Sequence, residues 1–552
     1  GLGIALAVRG AGFWTSAAAV AAALVSLPMI GDSAYFLLPF LVVLLHFRRP
    51  AAPRWYLLAA AVYCGLAVLI KTTFAVLALS LLLVVDVDRM LKRRPPFLVP
   101  VALLATLAFY IAAGQSLSSM PAFVGLSLEV AAGFNKAMTV FDSLRAVELG
   151  AFLAASLSVL ALAASGERKS GLLGTWSGAL LFVAASAYWF VTYKAGFTRQ
   201  DLHTLISWTC LGTGAALFAA TAGPAFPTRI RQLLLIGGLA IALLAPARMI
   251  VQPGVGAPAL VHQTLVGTPL QTLREAAAIL ADPSGWMAEQ RGRRAEAMAA
   301  IRARNPLPPG DGTIDTIPSI QAAVIAAGSD GGAAYRPRPV FQEYSTYTAA
   351  LVAANLAFVD GHDAPDTVLL APGSIDNRYP SLAEGPLWPT LLRRYAAAEL
   401  AGPVHHLNEG IDVLILQRRG EDAVVTLGPE QSLSVGLGTR LPVPDLDAPL
   451  MAKVDLSLSW AGRVLSLLHQ TPAVEMSVSL ADGSEHGHRL IPDIARQGFV
   501  LSPYLPHASA ARRLFDGEPW PENRVVALRI DVPAAIRWAF TDPVAIGLRA
   551  LR

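Results

Sequence analysis

Gly65-Leu66-Ala67-Val68-Leu69-Ile70-Lys71-Thr72-Thr73-Phe74 is the stretch whose reading decides the fold. It lies inside the apolar run Tyr56–Val85. Arg48, Arg49 and Arg54 precede that run, and Arg89, Lys92, Arg93 and Arg94 follow it. Basic clusters between apolar segments mark the cytoplasmic side of a membrane. With both flanks on one side, the run must cross twice, and Lys71 marks the turn on the far side.

The same pattern extends in both directions. Gly12–Ile30, Ser33–Phe47, Tyr56–Ile70, Thr72–Val85, Phe97–Gly114, Glu148–Ala164, Leu172–Tyr193, His203–Ala222 and Ile230–Ala247 are predicted spans. Several are shorter than the roughly 20 residues of an untilted crossing. Arg168 with Lys169, and Arg229 with Arg231, mark further cytoplasmic loops. Residues 30–34, the Lys71 turn, 115–147 and 194–202 then face outside. So does everything after the last span, which exits near Arg248. The opening Gly1-Leu2-Gly3-Ile4 reads as part of a helix already under way, so an upstream span is expected.

Charge divides the chain at the same place. Before Val251, 18 Lys/Arg face 8 Asp/Glu; from there on, 25 face 31. The hydrophobic share of 54% and a mean hydropathy of +0.51 are too apolar for a wholly soluble chain. The pI of 9.1 does not imply nucleic acid, because the basic residues sit in short loops where orientation explains them. Cys64 and Cys210 both lie in apolar segments, so no structural disulfide is expected.

The expected fold is therefore a polytopic α-helical membrane domain followed by a soluble α/β plus β-sandwich-like extracytoplasmic domain. The membrane part is 1–250 and a helical connector 251–305. A small α/β unit fills 306–420, with helices at Ile317–Ala327 and Tyr347–Phe358 and strands at Thr367–Leu370 and Ile411–Gln417. A β-rich module fills 421–552, with strands at Val454–Trp460, Val474–Leu480 and Val525–Val532.

No Walker loop, GxSxG or HExxH is present, and no cofactor is expected. His405, His406, His486 and His488 lack the Cys or carboxylate pattern of a zinc site, and the last two are placed in a hairpin turn after Asp482-Gly483. The informative groups are polar residues at the outer membrane surface. Lys71 interrupts an apolar run, where an ammonium either serves a function or snorkels to water. The loop Lys194-Ala195-Gly196-Phe197-Thr198-Arg199-Gln200-Asp201-Leu202-His203 packs two cations, a carboxylate and an imidazole between spans. Lys71, Lys194 and Arg199 suit a lipid phosphate, Arg199 by its fork geometry. Asp201 and His203 suit proton transfer. Asp32 is either a third catalytic candidate or a helix cap. The outer loop bearing Glu129, Asn135 and Lys136 reads as an amphipathic surface helix. In the soluble part Arg338, Gln342, Tyr344, Tyr347 and Trp388 combine aromatics with polar groups. That mixture suits a glycan, or the stitching of a Pro-rich connector.

The Gly65–Phe74 segment, the polar outer loops and the C-terminal outer domain resemble a bacterial GT-C-type membrane glycosyltransferase. The Lys194–His203 loop and the Arg336–Tyr347 segment also resemble uncharacterised multi-pass bacterial membrane proteins. The resemblance implies transfer of a sugar from a polyprenyl-phosphate carrier to a glycan or lipid acceptor outside the cytoplasmic membrane. In that family the acidic catalytic residue usually lies in the first outer loop. Here that loop would precede Gly1, which leaves Asp32, in the second, as its substitute. Two other readings compete: a polysaccharide polymerase or ligase, and a non-catalytic glycan-binding or scaffold protein of envelope assembly.

Overall fold

The computed structural model describes residues 2–26, 31–49, 53–140, 146–250, 262, 267–305, 307, 312–329, 331–373, 375–406 and 409–552. The chain forms two compact units: Gly1–Val124 with Val140–Asp282, and Gly125–Thr139 with Pro283–Arg552. Residues 125–139 thus belong to the second unit, and 267–282 to the first.

The first unit is helical: α1 (Leu2–Val8), α2 (Phe13–Ser26), α3 (Gly31–Arg48), α4 (Arg54–Ile70), α5 (Thr72–Leu91), α6 (Leu98–Ala112), the start of α7 (Met120–Ala137), α8 (Ala146–Lys169), α9 (Trp176–Phe197), α10 (Thr204–Thr221), α11 (Thr228–Ile250) and α12 (Thr268–Ala281). Helices α2–α6 and α8–α11 follow the predicted apolar segments; the end of the first, 27–30, lies outside the described residues. Among the described residues, five helices are long and apolar enough to cross a membrane. They are Gly31–Arg48, Leu117–Ala137, Ala146–Lys169, Trp176–Phe197 and Thr204–Thr221. Leu117–Ala137 stands apart, since from Gly125 onward it belongs to the second unit.

Charged side chains gather at the two ends of this bundle. At one end the buried Arg48 pairs with Glu167 and donates to the Phe218 carbonyl at 3.1 Å, joining the last turns of α3, α8 and α10. Asp88, near the end of α5, accepts from His46 and Lys92 at 2.8 Å and from Ser177, at the start of α9, at 2.6 Å. Asp86 accepts the N–H groups of Phe97, Leu98 and Val99 at 2.8–3.2 Å, so a carboxylate satisfies the otherwise orphaned donors that open α6. Helix ends and helix starts thus alternate as expected of consecutive antiparallel passes. Helix α10 is wholly buried. It crosses α11 closely because a Cβ on Gly212 would come within 2.5 Å of the Ala242 nitrogen, and one on Gly238 within 2.8 Å of the Ala216 nitrogen.

After its 125–139 segment the second unit resumes with α13 (Pro283–Arg304). An α/β part follows: β1 (Thr313–Ile317), α14 (Gln321–Gly328), β2 (Ala334–Tyr335), α15 (Ala349–Asp360), β3 (Thr367–Leu370), α16 (Leu387–Arg394), β4 (Tyr395–His406) and β5 (Glu409–Arg418). Its five-stranded sheet has the order β2-β1-β3-β5-β4; β1 runs parallel to β2 and β3, and β5 antiparallel to β3 and β4. The expected first helix loses Ile317 to β1, because Pro318 breaks the run before the helix begins.

Then come β6 (Gln431–Val435), β7 (Arg440–Pro442), β8 (Leu450–Asp455), α17 (Trp460–Leu468), β9 (Val474–Leu480), β10 (Glu485–Leu490), α18 (Pro492–Ala495), β11 (Phe499–Ser502), α19 (Ala508–Asp516), β12 (Val525–Asp531) and β13 (Val544–Ala550). They form two four-stranded antiparallel sheets, β10-β9-β12-β7 and β11-β8-β13-β6. Val474, Met476, Val478 and Leu480 alternate inward from one, Val454, Ile546 and Leu548 from the other, into a single apolar core. Two expectations are corrected. The strand predicted to Trp460 stops at Asp455, because the Ser459 hydroxyl accepts the Gly462 N–H at 3.0 Å and caps a helix. His486 and His488 lie on β10, not in the turn before it.

Candidate functional site

The loop between α9 and α10 is built around Asp201. The apolar α9 ends at Phe197, and the Thr198 hydroxyl returns to the Lys194 carbonyl at 2.7 Å. Backbone bonds then tie the loop to Val140, whose N–H donates to the Thr198 carbonyl at 3.2 Å and whose carbonyl accepts from the Gln200 N–H at 2.9 Å. Beneath it, Phe152 packs against Phe197 with ring centres 4.7 Å apart and meets Trp208 edge-on at 5.0 Å. Trp208 donates its indole N–H to Glu148 at 3.0 Å. Glu148 opens a predicted span, and nothing in the sequence around it singles it out.

On this base three of the predicted residues meet. Arg199 Nε donates to Asp201 Oδ2 at 2.9 Å, and His203 Nδ1 lies 2.5 Å from Asp201 Oδ1. The His203 N–H also donates to Oδ1, at 3.0 Å. Burial opposes ionisation of Asp201, but the His203 ring and N–H and the Arg199 guanidinium outweigh it and hold the carboxyl well below the usual carboxylate range. A carboxylate so engaged is a weak base. It is suited to fix the tautomer and orientation of the imidazole, whose side chain is 46% exposed. Lys194 lies one turn earlier, on α9.

Lys71 and Asp32 meet elsewhere. They form their own ion pair at 2.7 Å, between the α4–α5 turn and the first turn of α3. The two cations expected to share one phosphate site are thus each matched to a carboxylate, Lys71 to Asp32 and Arg199 to Asp201.

The residues proposed for a glycan do not form one surface. Arg338 is wholly buried, bonding Asp315 at 2.8 Å and Glu384 at 2.9 Å. Burial alone would lower its basicity; Glu384 and Asp315 outweigh that and raise it. Asn355 donates to the same Glu384 and grips Val340 through both its amide groups. Burial pushes the Glu384 carboxyl up, against the pull of Arg338. Tyr347 is buried beside Phe134, and Trp388 in the core near Phe515. Gln342 and Tyr344 are half-buried. The segment stitches the domain together, and Arg338, Tyr347 and Trp388 present no surface to a sugar.

A different concavity lies at the carboxyl ends of the adjacent parallel strands β1 and β3. About 570 Å³ in volume, it is flanked by Asp412, His507 and Ser509. Pro372-Gly373 directly after a buried strand was the available signal, since ligands of α/β sheets gather at that edge. Among the described residues no cluster of three or more His, Cys, Asp or Glu is placed to hold a metal ion. Comparison with protein-family models, with curated proteins and with solved structures gives no match.

Proposed function

We propose that this chain is a membrane glycosyltransferase that moves a sugar from a polyprenyl-phosphate carrier to an acceptor on the extracytoplasmic side of the bacterial cytoplasmic membrane. The observation that carries it is the Arg199–Asp201–His203 cluster, set on a polar loop between two apolar helices. In this reading His203, oriented by Asp201, takes the proton of the acceptor hydroxyl. The acceptor oxygen bonds to the anomeric carbon as the carbon–oxygen bond to the carrier phosphate breaks. The phosphate leaves as an anion, and Arg199 stabilises its charge. Asp201 is then a positioning residue rather than the base.

The test is the full chain in lipid with radiolabelled polyprenyl-phosphate sugars. His203→Ala is expected to abolish most turnover with carrier binding kept. Arg199→Ala should lose roughly tenfold to hundredfold, as expected for a charged contact of about 1.5–3 kcal/mol. The competing non-catalytic reading draws on the self-neutralised pairs Lys71–Asp32 and Arg199–Asp201. Absence of transfer from every carrier by the wild type would favour it.

A further inference from the structure

Among its described residues the second unit carries an exposed apolar face. On α17, Trp460, Val464, Leu467 and Leu468 follow helical spacing and share one side. Trp460 is 80% exposed, Leu467 70% and Leu468 56%. The short helical turn Ala534–Ala539 abuts the start of α17: Ser459 Oγ donates to the Trp538 carbonyl at 2.9 Å, and Gly462 packs on the Ala539 carbonyl. Trp538 adds a second indole, 54% exposed. At the other end of α17, Asn135 Nδ2 donates to the Ser466 carbonyl at 2.6 Å, fixing the last turns of α7 to it. Helix α7 exposes Leu128 in turn.

A water-facing surface gains nothing from this. Contiguous exposed apolar patches mark places where a protein meets another apolar phase. We propose that α17, the 534–539 turn and the exposed side of the 125–136 stretch of α7 lie on a lipid surface, at the headgroup–acyl boundary.

Three observations favour lipid as the occupant. The chain runs directly from a membrane-length apolar segment into the patch, because α7 follows α6 after only residues 113–119 and its residues from Gly125 onward belong to the second unit. The two exposed indoles have the amphipathic character that concentrates at membrane interfaces. Arg463 is exposed on the same helix, where it meets anionic headgroups while its neighbours enter the acyl region. The inference rests on the membrane reading of the first unit and is independent of any transfer reaction.

The experiment uses the full chain in vesicles of phosphatidylethanolamine and phosphatidylglycerol. Cys64 and Cys210, both buried, are replaced by Ala, and single nitroxide labels are placed through Val464→Cys, Leu467→Cys, Ala535→Cys and, as a control, Asp482→Cys. Asp482 lies in the exposed β9–β10 turn. Labels at 464, 467 and 535 should collide several-fold more often with dissolved oxygen, which partitions into lipid, than with a water-soluble nickel chelate. The label at 482 should show the reverse. All four labels behaving like 482 would overturn the proposal. So would shielding of 464 and 467 from both reagents with dipolar broadening between labels, which would identify a second copy of this chain as the occupant.

Discussion

Lys71 Nζ lies 2.7 Å from Asp32 Oδ2, which joins the turn between α4 and α5 to the first turn of α3. Both groups are partly exposed, so the pair contributes only about 0–1 kcal/mol to stability. Its larger effect is to neutralise a cation at the end of the bundle where the carrier phosphate is proposed to bind. Asp32→Asn is expected to tighten binding of a polyprenyl phosphate and Lys71→Ala to weaken it, as titrated on the protein in lipid. Equal affinities in all three proteins would remove Lys71 from the phosphate site.

Arg338 should matter for folding and not for ligand binding. Arg338→Met leaves Asp315 and Glu384 buried without their cation, a loss of about 3–5 kcal/mol. Arg336, whose pair with Asp363 is exposed, should cost no more than about 1 kcal/mol when replaced by Ala. Chemical denaturation of the two variants separates these values. A near-neutral Arg338→Met would contradict the assignment.

His488 makes the second unit sensitive to acid. It is buried with Nε2 2.9 Å from the Tyr504 hydroxyl, and burial lowers its affinity for a proton below the ordinary value of 6.5. As pH falls, the unfolded chain takes up this proton first. The contribution to stability is therefore complete above pH 6.5 and is lost as pH drops from there through the lower folded value. His488→Gln has no proton to bind. Thermal unfolding followed between roughly pH 8 and 5 should show the wild type losing more stability than the variant. Parallel curves would count against it.

Gly133 controls the attachment of residues 125–139. A Cβ there would come within 2.2 Å of Tyr347 Cβ, whereas one on Gly150 would meet open space. Gly133→Ala is expected to cost about 1–3 kcal/mol by overpacking. Amide exchange in 125–139 should rise, with little change for Gly150→Ala. Unaltered exchange in Gly133→Ala would mean that the segment is held some other way.

Much of this architecture is readable in residue order, and the exceptions have physical causes. Apolar runs between basic loops outlined the helices of the first unit, because long runs admit few alternatives. Thr367–Leu370 and Val474–Leu480 were placed correctly, since a buried run and a strict alternation are strong local signals. Trp460 was misread as a strand end. Alternation carries through it, and what decides for the helix is the Ser459 hydroxyl accepting the Gly462 N–H. For Arg338 the sequence left a glycan contact and the stitching of a connector both open, because a guanidinium in a buried ion pair looks, in sequence, like one that meets a ligand. Only the fold brings Asp315 and Glu384 to it from 23 and 46 residues away. The Arg199–Asp201–His203 cluster was legible because its members are close neighbours in the chain. The pairing of Lys71 with Asp32 was not, since it depends on how α3 packs against α4 and α5.

The second unit is made of two pieces of chain, 125–139 and the stretch from Pro283 onward. No single cut can release it whole. A genetic crossover anywhere between Thr139 and Pro283 would part Gly133 and Asn135 from the Tyr347 and Ser466 they fit. A single crossover therefore cannot exchange this domain for another, as it can a module joined by one linker.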